Sequence, residues 1–253
     1  MTQVAIVTGA SSGIGFEVAS QLIAAGMNVL GVGRDEKKLS ELKQALKGSE
    51  RIETLAVDLT DDGAPNQIVE SVLARWGRID FLINNAGVGL HGDFAEQDAA
   101  ANGAQVQLNC VTLVELTALF LPEMVRAGHG LVLNVASTAA FQPIPGMAVY
   151  GATKAFVLSF TEALWQEARG TGVRVLTLCP GATETEFFAR TGAEFLTSGR
   201  QTSQQVVDTA MAAIGKSTPT VVSGLKNTVL ASGYRFAPRR LLLSVSQRMM
   251  TAN

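Results

Sequence analysis

Tyr150 and Lys154 stand four residues apart in the stretch STAAFQPIPGMAVYGATK, which runs from Ser137 to Lys154. On a helix that interval turns about 40° and rises about 6 Å, so both side chains leave one face. A fixed ammonium beside a phenol favours the phenolate, because a nearby opposite charge stabilises the ionised form. With its pKa lowered from about 10, a tyrosine becomes a useful proton shuttle at neutral pH. Ser137 lies upstream at what reads as a strand end, where its hydroxyl could bond the same substrate oxygen once the fold joins strand end and helix. The competing reading of the pair is a half-buried aromatic beside a snorkelling lysine. Spacing alone does not separate the two.

The elements that would position these residues follow from hydrophobic patterning. Val4–Thr8, Met27–Val32, Ile52–Val57, Ile79–Asn84, Leu131–Val135 and Val173–Leu178 read as buried strands without clean alternation, as in sheets covered on both faces. Helical patterns run over about 14–25, 35–47, 64–75, 103–127 and 150–169. This alternation predicts right-handed crossovers and an α/β fold with a doubly wound parallel sheet. The 253 residues suit one such domain and are short for two.

Composition narrows the function classes. Hydrophobic residues make up 47% and charged residues 17%, a globular balance. Twenty Lys+Arg against 22 Asp+Glu give a net charge of -2, which argues against a nucleic-acid surface. Cys110 and Cys179 sit in apolar runs and read as small buried hydrophobes in a reducing compartment. His91 and His129 are the only histidines and lack ligand-like spacing, so no metal site is expected. The chain starts on a strand-like run with no signal-peptide pattern, and no apolar run reads as transmembrane in length. The cytoplasm is the default expectation.

The first strand enters Thr8-Gly9-Ala10-Ser11-Ser12-Gly13-Ile14-Gly15 and then a helix. Glycines there permit positive φ and close backbone approach, while the helix start offers N–H groups and a positive dipole end to a phosphate. The spacing is G-x-x-x-G-x-G, not G-x-G-x-x-G, and an ordinary tight turn is the alternative. The second strand ends in GVGRDEKKL. A carboxylate at such a strand end binds the ribose 2′-hydroxyl of NAD. Here Gly33 takes that place and Arg34 follows, a guanidinium suited to a 2′-phosphate or simply a solvated charge. Asp35 could open the next helix or swing toward the ribose. Asp58 ends the third strand and could meet an adenine amino group or cap a helix. Asn84-Asn85-Ala86-Gly87 ends the fourth strand, where open α/β sheets bind ligands, or forms a structural turn.

TGASSGIG, NNAG, Asn109, Ser137, Tyr150-x-x-x-Lys154 and Pro180-Gly181, in this order, make the chain resemble the short-chain dehydrogenase/reductases over roughly residues 3–190. The resemblance implies a Rossmann-type, three-layer α/β/α single domain with a nicotinamide cofactor, NADP(H) in preference to NAD(H). Gly9, Ser11, Ser12, Gly13, Ile14 and Gly15 would hold the pyrophosphate, and Arg34 the 2′-phosphate. Asp58 and Leu59 would frame the adenine, and Asn85, Ala86 and Gly87 would line the cofactor cleft. Pro180, Gly181, Thr183 and Thr185 would flank the nicotinamide. Tyr150 would be the general acid in ketone reduction and the base in reverse, and Lys154 would lower its pKa and hold the ribose. Ser137 would polarise the carbonyl, and Asn109, in the helical run Gln105–Leu119, would anchor a water linking Lys154 to solvent. A homodimer or homotetramer is implied as well.

The resemblance thins after about residue 190. Residues about 183–205 read as a loop with short helices covering a small-molecule substrate. In it Phe187, Phe188, Phe195 and Leu196 would wall an apolar pocket or pack on the core. The tail, about 225–253, is basic and apolar and is expected to pack on its own subunit or a neighbour in preference to a membrane. The whole predicts an NADP(H)-dependent oxidoreductase interconverting a ketone or aldehyde and an alcohol. The rivals are a 3-oxoacyl-thioester or steroid reductase, an NAD enzyme, and a non-catalytic redox sensor.

Overall fold

Seven runs rich in Val, Ile and Leu pair as parallel strands: β1 (Val4–Thr8), β2 (Asn28–Gly33), β3 (Ile52–Ala56), β4 (Phe81–Asn84), β5 (Gly130–Val135), β6 (Val173–Cys179) and β7 (Thr220–Val222). They lie in the order β3-β2-β1-β4-β5-β6-β7. The structure, a computed structural model, describes residues 2–46, 50–192, 199–234 and 237–251, the side chains of 249–251 excepted. The helices are α1 (Gly13–Ala24), α2 (Glu36–Ala45), α3 (Ala64–Trp76), α4 (Ala99–Val106), α5 (Thr112–Ala127), α6 (Ala148–Glu167), α7 (Phe187–Thr191), α8 (Ser203–Ile214), α9 (Leu225–Gly233) and α10 (Arg239–Thr251).

Alternate residues of each strand point to opposite faces of the sheet. Ala5 and Val7 of β1 therefore join a core with Val18 and Leu22 of α1 and Val206 of α8. Val4 and Ile6 meet Ile68 of α3 and Phe120 of α5 on the other face. Helices cover both faces, which is why the central strands show no polar alternation. β4 starts two residues later than expected from the sequence. Asp80 ties to β1 instead: its N–H donates to the Val4 carbonyl at 2.8 Å, and its carboxylate accepts from Val4 N at 2.8 Å.

The helix expected over 103–127 is not continuous. A π turn, Gln107–Val111, separates α4 from α5 and turns Asn109 and Cys110 inward. Such extra-residue turns are common at functional sites. Against the sequence expectation, Ala99–Ala127 is long and apolar enough to cross a bilayer by length and composition. In the structure Leu116, Phe120 and Met124 of this run are buried against the sheet.

One polar thread crosses the core. Asn84 Nδ2 donates to Asn134 Oδ1 at 2.9 Å, and Asn134 Nδ2 donates to Thr161 Oγ1 at 2.9 Å. It ties β4, β5 and α6 at one depth, which fixes the height of the helix carrying Tyr150 and Lys154. At β1 the strand order reverses, with β2 on one side and β4 on the other. A crevice opens at the carboxyl ends of strands at such a switch point.

Candidate active site

The crevice is a cleft of about 1280 Å³, more than the ~300–1,000 Å³ usual for a single small ligand. Of the catalytic and cofactor-binding residues that the resemblance implies, all but Gly15 and Asn109 line it. Gly15 lies behind the turn, where an added Cβ would stand 2.2 Å from the Gly9 carbonyl oxygen and 2.5 Å from Asn85 Nδ2. Packing alone requires glycine at this position. Asn109 is spent on the protein: its amide donates to the Val88 carbonyl at 2.9 Å and Thr153 Oγ1 at 3.0 Å, and accepts from Val88 N at 3.0 Å. It braces the segment that follows Gly87. A Cβ on Gly87 would lie 3.2 Å from Asn109 Oδ1 and 3.3 Å from Lys154 Nζ, so amide and ammonium flank one small space.

At the other end of the cleft, Gly9 and Gly13 have φ of 66° and 56°. An added Cβ at Gly9 would meet Asn85 Nδ2 at 2.9 Å. Ser12, the N-cap of α1, makes no side-chain capping bond, and no acid occupies the first turn. The helix start is thus shaped to receive an anionic group on backbone N–H. Thr8, which the sequence reading passed over, staples this turn to NNAG, its hydroxyl accepting from the N–H of Asn85 and of Ala86 at 3.0 Å each. Arg34 is 70% exposed at the cleft edge, 3.9 Å from the Asp58 carboxylate. Asp35 is settled as a cap: its carboxylate accepts from Lys38 N at 3.0 Å. Hydrogen bonds from Thr60 hold the Asp58 carboxyl below its ordinary pKa. These residues fit a dinucleotide carrying phosphates.

Ser137 and Tyr150 line the same end of the cleft, so strand end and helix do meet. Lys154 Nζ donates to the Val135 carbonyl at 2.7 Å and lies 5.8 Å from the Tyr150 ring centre. The lowered phenol pKa expected from this neighbour is not what the structure shows. Burial pushes Tyr150 up to about 12, against the pull of the Ser137 hydrogen bond. Burial likewise brings Lys154 down to about 8. Desolvation is the leading cause of both shifts. The buried Cys179 thiol is pushed up to about 12 and is neutral.

Phe187 stacks tilted on Tyr150 with ring centres 5.2 Å apart, and Phe188 lines the cleft beside it. Phe195 and Leu196 lie outside the described residues. Above the glycine turn, Thr185 presses on Gly13, and Lys38 of α2 holds Glu186 at 2.5 Å. The remaining wall comes from the tail. Asn227, Leu230 and Tyr234 line the cleft together with Ser246 of α10. The sequence reading missed them, although their i, i+3, i+7 spacing puts the first three on one helical face. Asn227 packs so close to Gly181 that a Cβ there would fall 2.3 Å from Asn227 Nδ2. Ser246 Oγ and both amide atoms of Gln105 are buried at the cleft without a hydrogen-bond partner among the described residues.

A family model described as short chain dehydrogenase matches residues 3–194. The chain belongs to the short-chain dehydrogenase family. Sulfoacetaldehyde reductase 2 of Chromohalobacter salexigens is 36% identical over 197 residues, 77% of this chain and 78% of that protein. An NADP-dependent 3-hydroxy acid dehydrogenase of Escherichia coli strain K12 is 36% identical over 179 residues, 70% of this chain and 71% of that one. Among solved structures, a short-chain dehydrogenase from Sphingobium yanoikuyae in complex with NADPH superposes with a TM-score of 0.82 at 32% identity, covering 92% of this chain and 94% of its own. This short-chain dehydrogenase has its α9 and α10 wall beyond the segment that the family model matches.

Proposed function

We propose that this short-chain dehydrogenase is an NADP(H)-dependent oxidoreductase interconverting a ketone or aldehyde and its alcohol, with NAD(H) the weaker cofactor. The observation that carries the reading is the convergence of Ser137, Tyr150 and Lys154 on one end of the cleft, with the Lys154 ammonium 5.8 Å from the Tyr150 ring centre. A bound nicotinamide supplies or accepts the hydride. The chain's own residues bind, orient and handle the proton.

In carbonyl reduction Tyr150, neutral at pH 7, gives its phenolic proton to the substrate oxygen, and Ser137 donates a second hydrogen bond to that oxygen. Lys154 as ammonium stabilises the phenolate that results. Alcohol oxidation needs that phenolate at the outset, as the base that takes the hydroxyl proton. Asn109 acts by bracing Val88, which keeps the space between Gly87 and Lys154 open. The preference for NADP(H) is supported by Gly33 where a carboxylate would stand, by Arg34 at the cleft edge, and by Asp35 being engaged as a helix cap.

The substrates in the relatives' names, sulfoacetaldehyde and 3-hydroxy acids, are small and anionic. The wall here is built from Ile144, Met147, Phe187 and Leu230, with α9 outside the matched segment. These apolar side chains support a carbonyl compound with an apolar body, lodged between α7 and α9, with the cations Arg190 and Lys226 sharing the lining.

The test is NADPH consumption over a panel of aldehydes, cyclic ketones, keto esters and steroids, with Tyr150→Phe in parallel. Wild type turns over at least one class; the variant binds NADPH normally and turns over none. Retained turnover in the variant overturns the proton-donor assignment.

A further inference from the structure

The charge of this chain is not evenly spread. Residues 216–253 hold six basic side chains, Lys216, Lys226, Arg235, Arg239, Arg240 and Arg248, and no acidic one. The other 215 residues carry the remaining 14 basic against all 22 acidic side chains, a net of -8. A segment of +6 is therefore appended to an acidic body.

The two helices in this segment also expose apolar stripes. Leu225 and Val229, one turn apart on α9, are 82% and 64% exposed. Leu241 and Val245, one turn apart on α10, are 56% and 47% exposed, and Arg248 continues their stripe. Leu242 and Ser246 turn toward the protein, so α10 packs with one face and leaves the other open. Arg239 and Arg240 occupy the first turn of α10, which holds no acid. Cations at a helix N-terminus oppose its dipole and destabilise it in water. An anionic partner relieves that conflict.

We propose that α9 and α10 form a docking surface for an anionic lipid bilayer, placed at the mouth of the cleft. Apolar stripes flanked by arginine suit the boundary between headgroups and acyl chains. A two-fold contact with a second copy through the same face would set arginines against arginines, which like-charge repulsion disfavours. Lys226 and Leu230 belong both to the exposed surface of α9 and to the cleft lining, so the docked surface is continuous with the entrance. The docking does not depend on the oxidoreductase reading.

The experiment is co-sedimentation of the full chain with phosphatidylcholine vesicles and with vesicles that also contain phosphatidylglycerol. Binding is expected to the second only and to weaken with salt. Each cation near an anionic surface is worth about fivefold in partitioning. Arg239→Gln with Arg240→Gln should therefore lower binding about twenty-fivefold. Leu241→Ser with Val245→Ser should lower it as well, and both pairs should leave the circular dichroism spectrum and NADPH affinity unchanged. No binding to phosphatidylglycerol vesicles, or equal binding by the arginine variant, overturns the proposal. So does a change of oligomeric mass in the Leu241/Val245 variant with vesicle binding intact, which would assign the face to a second copy.

Discussion

Lys154 links two properties whose pH dependences run in opposite directions. Its ammonium is buried, and its pKa falls from 10.5 to about 8. Below pH 8 the folded and unfolded chains both hold this proton, and stability is flat with respect to it. Between about pH 8 and 10.5 the unfolded chain keeps a proton that the folded chain has lost, so stability rises with pH. At about 1.4 kcal/mol per pH unit, the full gain is about 3 kcal/mol, an order-of-magnitude figure. Cofactor affinity should do the reverse, because the ammonium that would hold the ribose is the form being lost, and NADPH binding should weaken up to tenfold per unit above pH 8. The assay is urea unfolding of wild type and Lys154→Met from pH 7 upward, with NADPH fluorescence titrations at the same pH values. Taking the difference between the two proteins cancels every other titrating group. Parallel stability curves would refute the lowered pKa, and a pH-independent NADPH affinity would refute the ribose contact.

Arg34→Ala should weaken NADPH more than NADH in binding titrations; equal losses would remove the 2′-phosphate assignment. Gly15→Ala should cost several kcal/mol in chemical unfolding, since its Cβ would overlap the Gly9 carbonyl at 2.2 Å and backbone cannot yield cheaply. A fully stable Gly15→Ala protein would mean the turn is looser than described. Asn134→Ala takes one hydrogen bond each from the Asn84 amide, which keeps Thr117, and the Thr161 hydroxyl, which keeps Val157, and should cost about 1–3 kcal/mol. A loss under 1 kcal/mol in urea melts would show that water replaces the asparagine.

Much of this arrangement was legible because it is local. The four-residue interval of Tyr150 and Lys154 needs only helix geometry, and TGASSGIG needs only the conformational freedom of glycine at a strand–helix junction. Strand–helix alternation gave the parallel sheet, with ends misplaced by a residue or two where Asp80 intervenes. What the sequence could not supply depends on enclosure. The phenol that spacing suggests has a lowered pKa has a raised one once the fold takes part of its hydration away, and no spacing rule carries that information. The π turn at Asn109 was hidden because Gln107–Val111 is a single turn, too short to show a hydrophobic period of its own. The tail residues were missed because their positions depend on where α9 docks, through Asn227 against Gly181, not on any motif of their own.

The strand order β3-β2-β1-β4-β5-β6-β7 also governs how the chain must be made. Synthesis delivers β1, β2 and β3 first, and these grow the sheet outward in one direction only. The other edge of β1, the apolar run Val4–Thr8, has no neighbour until Phe81–Asn84 emerges. For that interval the nascent chain presents an unprotected hydrophobic strand edge, the kind of surface that templates misassembly between chains. The reversal that creates the cofactor crevice is therefore also the point at which a half-made chain is most exposed to aggregation.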